Sequence, residues 1–281
     1  MVNACDRLSK RSTAMEGALA GDESERGESL ALEPAAESRP VPRPSLGTSW
    51  QWQLSGEIDV SQAVELYDID LFDAPQQVID QLRERGVMVV CYFSAGTRES
   101  WRPDADQFAS ADVGSALPAW RGEHWLDIRS KQVRSVMRKR LDLAANRRCD
   151  GVEPDNVDAF IQDSGFAITV GDQLAYAAFL SQEAHSRGLN IGLKNAPELA
   201  RRLEPVFDWA LSEECVARGE CGDFSSFLAA SKAVLVVEYV DDLSVAGATR
   251  DAACARVVDA GYSLIIKTLA LDAGVLACPL R

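Results

Sequence analysis

Eight short apolar runs alternate with longer amphipathic stretches from residue 48 almost to the end of the 281-residue chain. The runs cover residues 49–54, 63–69, 87–93, 151–153, 189–193, 209–211, 233–239 and 263–266. Predicted helices between them span 75–85, 131–146, 171–187, 224–231 and 250–260, and Gly86, Gly188 and Gly261 supply helix C-caps just before strands. This alternation is typical of a parallel β-sheet with crossover helices.

Eight strand-then-helix repeats close most simply into an α/β fold, a single (β/α)8 TIM barrel over residues 47–281. A doubly wound open sheet is the alternative, but the sequence has no Gly-rich phosphate loop to support it. Residues 1–46 are rich in Ala, Glu, Ser, Arg and Pro, and we expect them to form a disordered tail or linker.

The seven cysteines include no CxxC pair, which argues against a zinc ribbon or a thioredoxin-like site. Cys215 and Cys221 flank a short loop, and Cys254 and Cys278 could tie the last helix to the C-terminal segment. Either pairing would indicate an oxidising compartment. Cys91 lies in an apolar run and suits a buried free thiol.

Two further features bear on location and partners. No apolar stretch is long enough to cross a membrane. The segment around Cys5 resembles the end of a bacterial lipoprotein signal without its hydrophobic part, and a chance cysteine is the alternative. The net charge of −14 argues against nucleic acid and fits a cationic or neutral partner, although acidity can also serve solubility alone.

Polar residues follow the apolar runs at almost every strand end, where barrel enzymes carry their active sites. In chain order they are Trp52, Asp68, Asp70, Tyr92, Ser94, Glu153, Asp155, Lys194, Asn195, Glu213, Glu238, Tyr239 and Lys267. Each alone has an ordinary explanation as a turn residue. Their convergence on one rim predicts a functional cleft, with Trp52, Tyr92 and Tyr239 either stacking on sugar rings or packing the barrel mouth.

The chemistry open to this rim is narrow. Two isolated carboxylates on one rim are the usual equipment for cutting a glycosidic bond. The two histidines, His124 and His185, are interpreted as structural or surface residues, which argues against a Ser-His-Asp relay or a His-rich metal site. A magnesium site of Asp68, Asp70, Glu153 and Asp155 stays open, as does a Schiff base on Lys194 or Lys267. Asp127 is interpreted as a helix N-cap.

These strand-end motifs resemble glycoside hydrolase family 114, the endo-α-1,4-polygalactosaminidases. The matching segments are 50–54, 67–73, 91–96, 125–129, 150–158, 192–195, 212–215 and 238–239. The resemblance covers the whole chain from about residue 48. It implies a (β/α)8 barrel, secreted or attached to the cell surface, that acts within α-1,4-linked galactosamine-containing polymers.

The resemblance further implies Asp155 as the nucleophile and Glu213 as the acid/base. Ser212 stands before Glu213 where many relatives have Asn. Glu214 is an adjacent competitor, but alternation along a strand sends neighbours to opposite faces, and Glu213 is in register with the family's Glu-x-Cys pattern. We expect the pKa of Glu213 to be raised, Lys194 to keep Asp155 ionised, and the reaction to retain configuration.

The remaining strand-end residues are predicted to bind substrate: Trp52, Asp68, Asp70, Tyr92, Glu153, Lys194, Glu238, Tyr239 and Lys267. Deacetylated galactosamine units carry ammonium groups, so the acidic members of this set are candidate partners for them. We expect a monomer that needs no metal or cofactor. The alternatives are a polysaccharide-binding barrel without catalysis and a Schiff-base lyase using Lys194.

Overall fold

The computed structural model describes residues 41–279, so residues 1–40 of the tail predicted for residues 1–46, including the segment around Cys5, lie outside the described residues. The strands are β1 Trp50–Gln53, β2 Leu66–Asp70, β3 Met88–Ser94, β4 Thr97–Glu99, β5 Val113–Ala116, β6 Glu123–Leu126, β7 Gly151–Asp155, β8 Asn190–Lys194, β9 Trp209–Glu213, β10 Val234–Tyr239, β11 Ser263–Lys267 and β12 Leu276–Ala277. The α-helices are α1 Gln76–Glu84, α2 Lys131–Asn146, α3 Val170–His185, α4 Pro197–Leu203, α5 Cys215–Arg218, α6 Ser225–Ala229 and α7 Gly247–Val257.

Eight strands form a parallel sheet whose spatial order follows the chain: β1, β2, β3, β7, β8, β9, β10 and β11. They correspond to the eight predicted runs, and the sheet curls strongly into a TIM-like barrel, so the predicted fold class is confirmed. The first strand, β1, and the last, β11, lie close together, and the Trp50 indole Nε1 donates a hydrogen bond to the Ser263 carbonyl at 3.0 Å. The short β12 adds to β11 in the antiparallel direction.

The barrel interior is filled with apolar side chains below the strand ends. These are Trp50, Trp52, Leu66, Val90, Trp209, Leu211, Ala233, Leu235, Val237 and Ile265. Gly192 of β8 is required here, because a Cβ at this position would lie 2.5 Å from the Trp209 ring. Since the interior is packed, polar chemistry is confined to the carboxyl ends of the strands.

The helix ends agree with the sequence at some positions and not at others. Gly86, Gly188 and Gly261 have positive φ angles of 77°, 73° and 96°, as expected for residues that close a helix. The interpretation of Asp127 as an N-cap is wrong. Ser130 caps α2 instead, and the Asp127 carboxylate binds the guanidinium of Arg129.

A three-stranded antiparallel sheet of β4, β6 and β5, which the sequence patterns did not predict, is inserted after β3. We call residues 97–126 the rim sheet. Arg102 anchors it, since its buried guanidinium contacts Asp70 at 2.5 Å and Glu99 at 2.9 Å. A second anchor is Arg140 of α2, which pairs with Asp104 at 2.8 Å.

Three disulfides join Cys91 to Cys149, Cys215 to Cys221 and Cys254 to Cys278. The last two pairings were predicted and are confirmed. The interpretation of Cys91 as a free thiol is wrong, because Cys149 lies beside it just before β7. Disulfides of this number are typical of proteins that fold in an oxidising compartment. Among residues 41–279 no helix is long and apolar enough to span a membrane.

Residues 41–46, which precede the predicted barrel domain, also contact the barrel. The side-chain amide of Asn190 donates a hydrogen bond to the Pro42 carbonyl at 2.7 Å, and Pro44 is buried. The described part of the segment expected to be a linker therefore packs against the end of the barrel where the strands begin.

Candidate active site

Lys194, at the end of β8, is buried at the centre of three carboxylates. Its Nζ atom lies 2.9 Å from Glu153 Oε1, 3.2 Å from Asp155 Oδ2 and 3.3 Å from Glu213 Oε2. The Asp155 and Glu213 oxygens therefore lie at most about 6.5 Å apart, the two distances end to end. The Asp155 and Glu213 side chains are 19% and 25% exposed, against 1% for Lys194, so within this cluster they are the groups that a substrate can touch.

The residues around Lys194 stabilise the protonated form of its amine. Burial alone would lower the pKa of its amine, but the charges of Asp155, Glu153 and Glu213 raise that pKa well above the usual value. The ring of Trp52 lies 4.5 Å from Nζ and adds a cation–π contact. This lysine is therefore positively charged at neutral pH.

Glu213 is held by donors on both of its oxygens. Asn195 Nδ2 donates to Oε2 at 2.9 Å, and the Tyr239 hydroxyl donates to Oε1 at 2.5 Å. Burial disfavours the ionised form, but the Lys194 charge and these hydrogen bonds outweigh it and lower the pKa of Glu213. The expectation of a raised pKa is wrong for the site without substrate. The neighbouring Glu214 turns away and pairs with Arg218 at 2.7 Å.

Asp155 is positioned through the turn that follows it. Its Oδ1 accepts a hydrogen bond from the backbone N–H of Asn156 at 2.7 Å, and the Tyr92 hydroxyl lies 3.3 Å from Oδ2. Its carbonyl accepts from the N–H groups of Ala95 and Gly96. A Cβ at Gly96 would lie 1.7 Å from the Asn156 carbonyl oxygen, so only glycine permits this approach.

The three charged strand ends are each followed by a residue with left-handed backbone. The φ angles are 60° at Asn156, 48° at Asn195 and 59° at Glu214. Such conformations are uncommon for residues other than glycine and persist where the surroundings enforce them. Their repetition after β7, β8 and β9 marks this rim as a constrained site.

Beneath Lys194, Asp68 and Glu153 form a buried carboxyl pair. Neither oxygen of Asp68 nor Oε2 of Glu153 has a donor among the described residues, so a hydrogen bond between the two carboxyls requires a proton on one of them. Burial, followed by the charge of Glu153, raises the pKa of Asp68 well above its usual range. Burial also raises the pKa of Glu153, to about 7.

Asn156 links the turn after Asp155 to the rim sheet. Its Nδ2 donates to Ser94 Oγ at 3.0 Å and to Glu123 Oε1 at 3.3 Å. Burial raises the pKa of Glu123 to about 7. Neither Glu123 nor Asn156 was among the predicted site residues. Glu123 lies inside the rim sheet, where no strand-end pattern exists, and Asn156 is an uncharged turn residue beside Asp155.

Three predicted substrate-binding residues do not meet at this cluster. Asp70 is paired with Arg102, as described above. Glu238 accepts hydrogen bonds from the backbone N–H groups of Val216 and Ala217 in α5, because alternation along β10 sends Tyr239 inward and Glu238 outward. Lys267 is buried and donates to Gln51 Oε1 at 3.1 Å, and burial lowers its pKa to about 8.

The geometry does not suit the magnesium site considered from the sequence, and it places both histidines away from the carboxylate cluster. The four carboxylates considered for magnesium do not share a centre, since Asp70 is bound to Arg102 and the Lys194 ammonium occupies the space between Glu153 and Asp155. His185 contacts Asp208 at 2.8 Å, and His124 lies on β6 of the rim sheet.

An acidic cavity of about 420 Å³ opens among the loops that follow β1, β10 and β11. Its carboxylates are Glu57, Asp241, Asp242 and Asp272. Neither Asp155 nor Glu213 lines it. Because it lies at the carboxyl ends of the strands, it shares the rim with the carboxylate cluster.

The sequence and the fold are similar to those of known proteins. The model of glycoside-hydrolase family GH114 matches residues 31–280. The crystal structure of Aspergillus fumigatus Ega3 in complex with galactosamine is 39% identical, with a TM-score of 0.82, and the match covers 86% of this chain and 99% of that one. The glycoside hydrolase domain of PelA from Pseudomonas aeruginosa, 16% identical, shares the fold with a TM-score of 0.64 over 82% of this chain and 98% of that one. No curated protein matches the sequence.

Proposed function

The chain belongs to glycoside hydrolase family 114, and on this premise we propose that it is an endo-acting hydrolase of α-1,4-linked galactosamine-containing polysaccharide. One observation carries the proposal. Asp155 and Glu213, on separate strands, both reach solvent and share the buried Lys194 ammonium. Two carboxylates so arranged can act on one anomeric carbon from a fixed scaffold.

In the proposed mechanism Asp155 is the nucleophile. Its carboxylate forms a bond to the anomeric carbon while the bond to the glycosidic oxygen breaks, and Glu213 gives that oxygen its proton. Glu213 then takes a proton from water, the water attacks the anomeric carbon, and Asp155 is released. The upper bound of about 6.5 Å between the two oxygens accommodates the separation of about 5–5.5 Å found in retaining enzymes.

The lowered pKa of Glu213 has a consequence for the first step. In the free enzyme Glu213 is ionised near neutral pH, so it must gain a proton before or during substrate binding. A sugar that covers the exposed quarter of this side chain removes water and disfavours the ionised form. Once Asp155 is esterified and neutral, Lys194 favours ionised Glu213, the form needed to accept a proton from water.

The charge of the chain suits a cationic substrate. Deacetylated galactosamine units carry ammonium groups, and the acidic cavity on the same rim offers Glu57, Asp241, Asp242 and Asp272 as partners. A hydrolysis assay on deacetylated and fully acetylated polymer across salt concentrations tests this part. We expect faster hydrolysis of the deacetylated polymer, with a preference that weakens as salt rises. Equal rates without any salt effect would contradict it.

We also propose that the protein is secreted or attached to the cell surface and acts as a monomer. The three disulfides support the location. A Schiff-base lyase is disfavoured because the raised pKa of Lys194 keeps its amine protonated at neutral pH, and a protonated amine has no free electron pair for a carbonyl carbon. A polysaccharide-binding barrel without catalysis is disfavoured by the exposure of both carboxylates.

The deciding experiment is incubation of the native protein with a panel of amino-sugar polymers, followed by product sizing. Asp155→Asn and Glu213→Gln are the test variants, and Glu214→Gln is the matched control because its carboxylate faces away. We expect mixed oligosaccharides from the native protein and the control, and a loss of at least about a thousandfold in both test variants. No cleavage by the native protein, or undiminished cleavage by either test variant, would overturn the proposal.

A further inference from the structure

Two tryptophans are exposed on the rim sheet. Trp101 and Trp120 are each 54% exposed, and they are the only aromatic residues among the large hydrophobic side chains exposed within residues 41–279. The others are Leu46, Val170, Val245 and Leu269. A single exposed hydrophobic side chain is ordinary on a protein surface, but two exposed indoles on the rim sheet indicate a binding surface.

Backbone hydrogen bonds hold the chain at both tryptophans. At Trp120 its own N–H donates to the Leu117 carbonyl and its carbonyl accepts from the N–H of Glu123, both at 3.2 Å. Trp101 precedes Arg102, whose buried guanidinium is fixed by Asp70 and Glu99. The Trp101 ring packs over Gly122, since a Cβ there would lie 3.5 Å from the ring. The N–H of Ser100 donates to the Gly122 carbonyl at 3.0 Å. An exposed ring on a fixed backbone is prepared for binding, because little freedom remains to be lost.

The rim sheet contacts the turn that follows Asp155. Glu123 accepts a hydrogen bond from Asn156, the residue after Asp155. Trp120 precedes Glu123 by three residues, so their Cα atoms are within about 11 Å of each other. A polymer lying across Asp155 and Glu213 can therefore reach this part of the surface within a few sugar units.

We propose that Trp101 and Trp120 form an aromatic subsite that binds sugar units of the polysaccharide outside the catalytic cleft. The proposal rests on the proposed function and extends it. A galactosamine unit offers a face of C–H groups that packs on an indole, and its ammonium is attracted to the face of the ring. The occupant is the substrate chain itself, which would make the enzyme prefer long polymers.

The test compares Trp101→Ala, Trp120→Ala and the double variant with the native protein. Each is assayed on long deacetylated polymer and on a short oligosaccharide that fills only the catalytic cleft. We expect KM for the polymer to rise about two- to fivefold for each tryptophan removed, with kcat and the kinetics on the short substrate unchanged. Trp→Phe variants should recover most of the loss. Leu46→Ala is the control, since it removes an exposed hydrophobic side chain at the opposite end of the barrel.

A second measurement separates this proposal from the proposed function. Polymer binding is measured in the Glu213→Gln background, with and without the two tryptophans. Weaker polymer binding without the two tryptophans supports the subsite. A native protein that cuts no polymer would contradict the proposed function and leave this result for the subsite unchanged. Equal binding and equal polymer KM would overturn the subsite and leave hydrolysis standing. A dimer of the native protein that becomes a monomer in the double variant would also overturn it, because the tryptophans would then contact a second copy.

Discussion

Asn195 holds Glu213 at two points. Its Nδ2 donates to the Glu213 carboxylate at 2.9 Å, and its Oδ1 accepts from the Glu213 backbone N–H at the same distance. Asn195 also has a left-handed backbone, which asparagine adopts more readily than most residues. The residue that turns the chain out of β8 therefore also fixes the proposed acid/base.

We predict that Asn195→Ala lowers kcat about a hundredfold with little change in KM, because a carboxylate displaced by about 1 Å loses its approach to the reacting bond. Steady-state kinetics on polymer test this. Asn146→Ala, at the exposed end of α2, is the control and should behave as the native protein. Full activity in Asn195→Ala would show that Glu213 does not need this clamp.

The pH profile should report the hydrogen bond from Tyr239. Removing it in Tyr239→Phe destabilises the ionised form of Glu213 and so raises its pKa. If protonated Glu213 is the acid, kcat/KM of the native protein falls as rising pH removes the proton from Glu213. Because the pKa of Glu213 is higher in Tyr239→Phe, kcat/KM of this variant should fall at a higher pH. Tyr262→Phe, whose hydroxyl contacts the Cys221 carbonyl, should leave the profile unchanged. A shift to lower pH in Tyr239→Phe would contradict the assignment.

Lys194→Met should abolish activity and destabilise the fold by about 3–5 kcal/mol, because it leaves the carboxylates of Glu153, Asp155 and Glu213 without their cation. Denaturant unfolding and polymer hydrolysis measure the two effects. Lys232→Met is the matched control: this buried lysine contacts the Glu204 carboxylate and the Phe207 carbonyl, away from the rim. It should lose stability and keep its kcat. Hydrolysis by Lys194→Met at the native rate would show that catalysis does not need the Lys194 ammonium.

Glu123 should make stability depend on pH. Its pKa is about 7 in the folded protein against about 4.5 when unfolded, so the native state binds more protons between these values. The free energy of unfolding should then fall as pH rises from about 4.5 to 7, by up to about 3 kcal/mol from this group. The free energy of unfolding of Glu123→Gln should fall less steeply with pH. That of Glu84→Gln, which changes an exposed residue, should follow the native curve. Parallel curves for Glu123→Gln and the native protein would contradict the raised pKa.

Much of the framework can be read from the sequence. The eight apolar runs predicted the eight parallel strands, and the strand-end pattern singled out Asp155, Lys194 and Glu213, which the structure brings together. Alternation also separates Glu213 from Glu214. The roles of these residues in catalysis remain predictions.

The sequence could not show contacts made across the barrel. The lowered pKa of Glu213 depends on where Lys194 Nζ lies, and the partner of Cys91 is 58 residues away. Asp70 and Glu238 match a strand-end pattern, but their partners come from the rim sheet and α5. The rim sheet was missed because its short strands lack the long apolar runs of the barrel, and α4 and α5 because seven and four residues carry little periodicity.

We propose that Asp155 and Glu213 act as a retaining pair on one anomeric carbon. The most direct measurement is ¹H NMR of the reducing end first released from an α-1,4-linked galactosamine polymer, before mutarotation. A retaining pair releases the α-anomer first. A β-anomer as the first product would contradict it, because water would then have attacked the sugar without a covalent intermediate on Asp155.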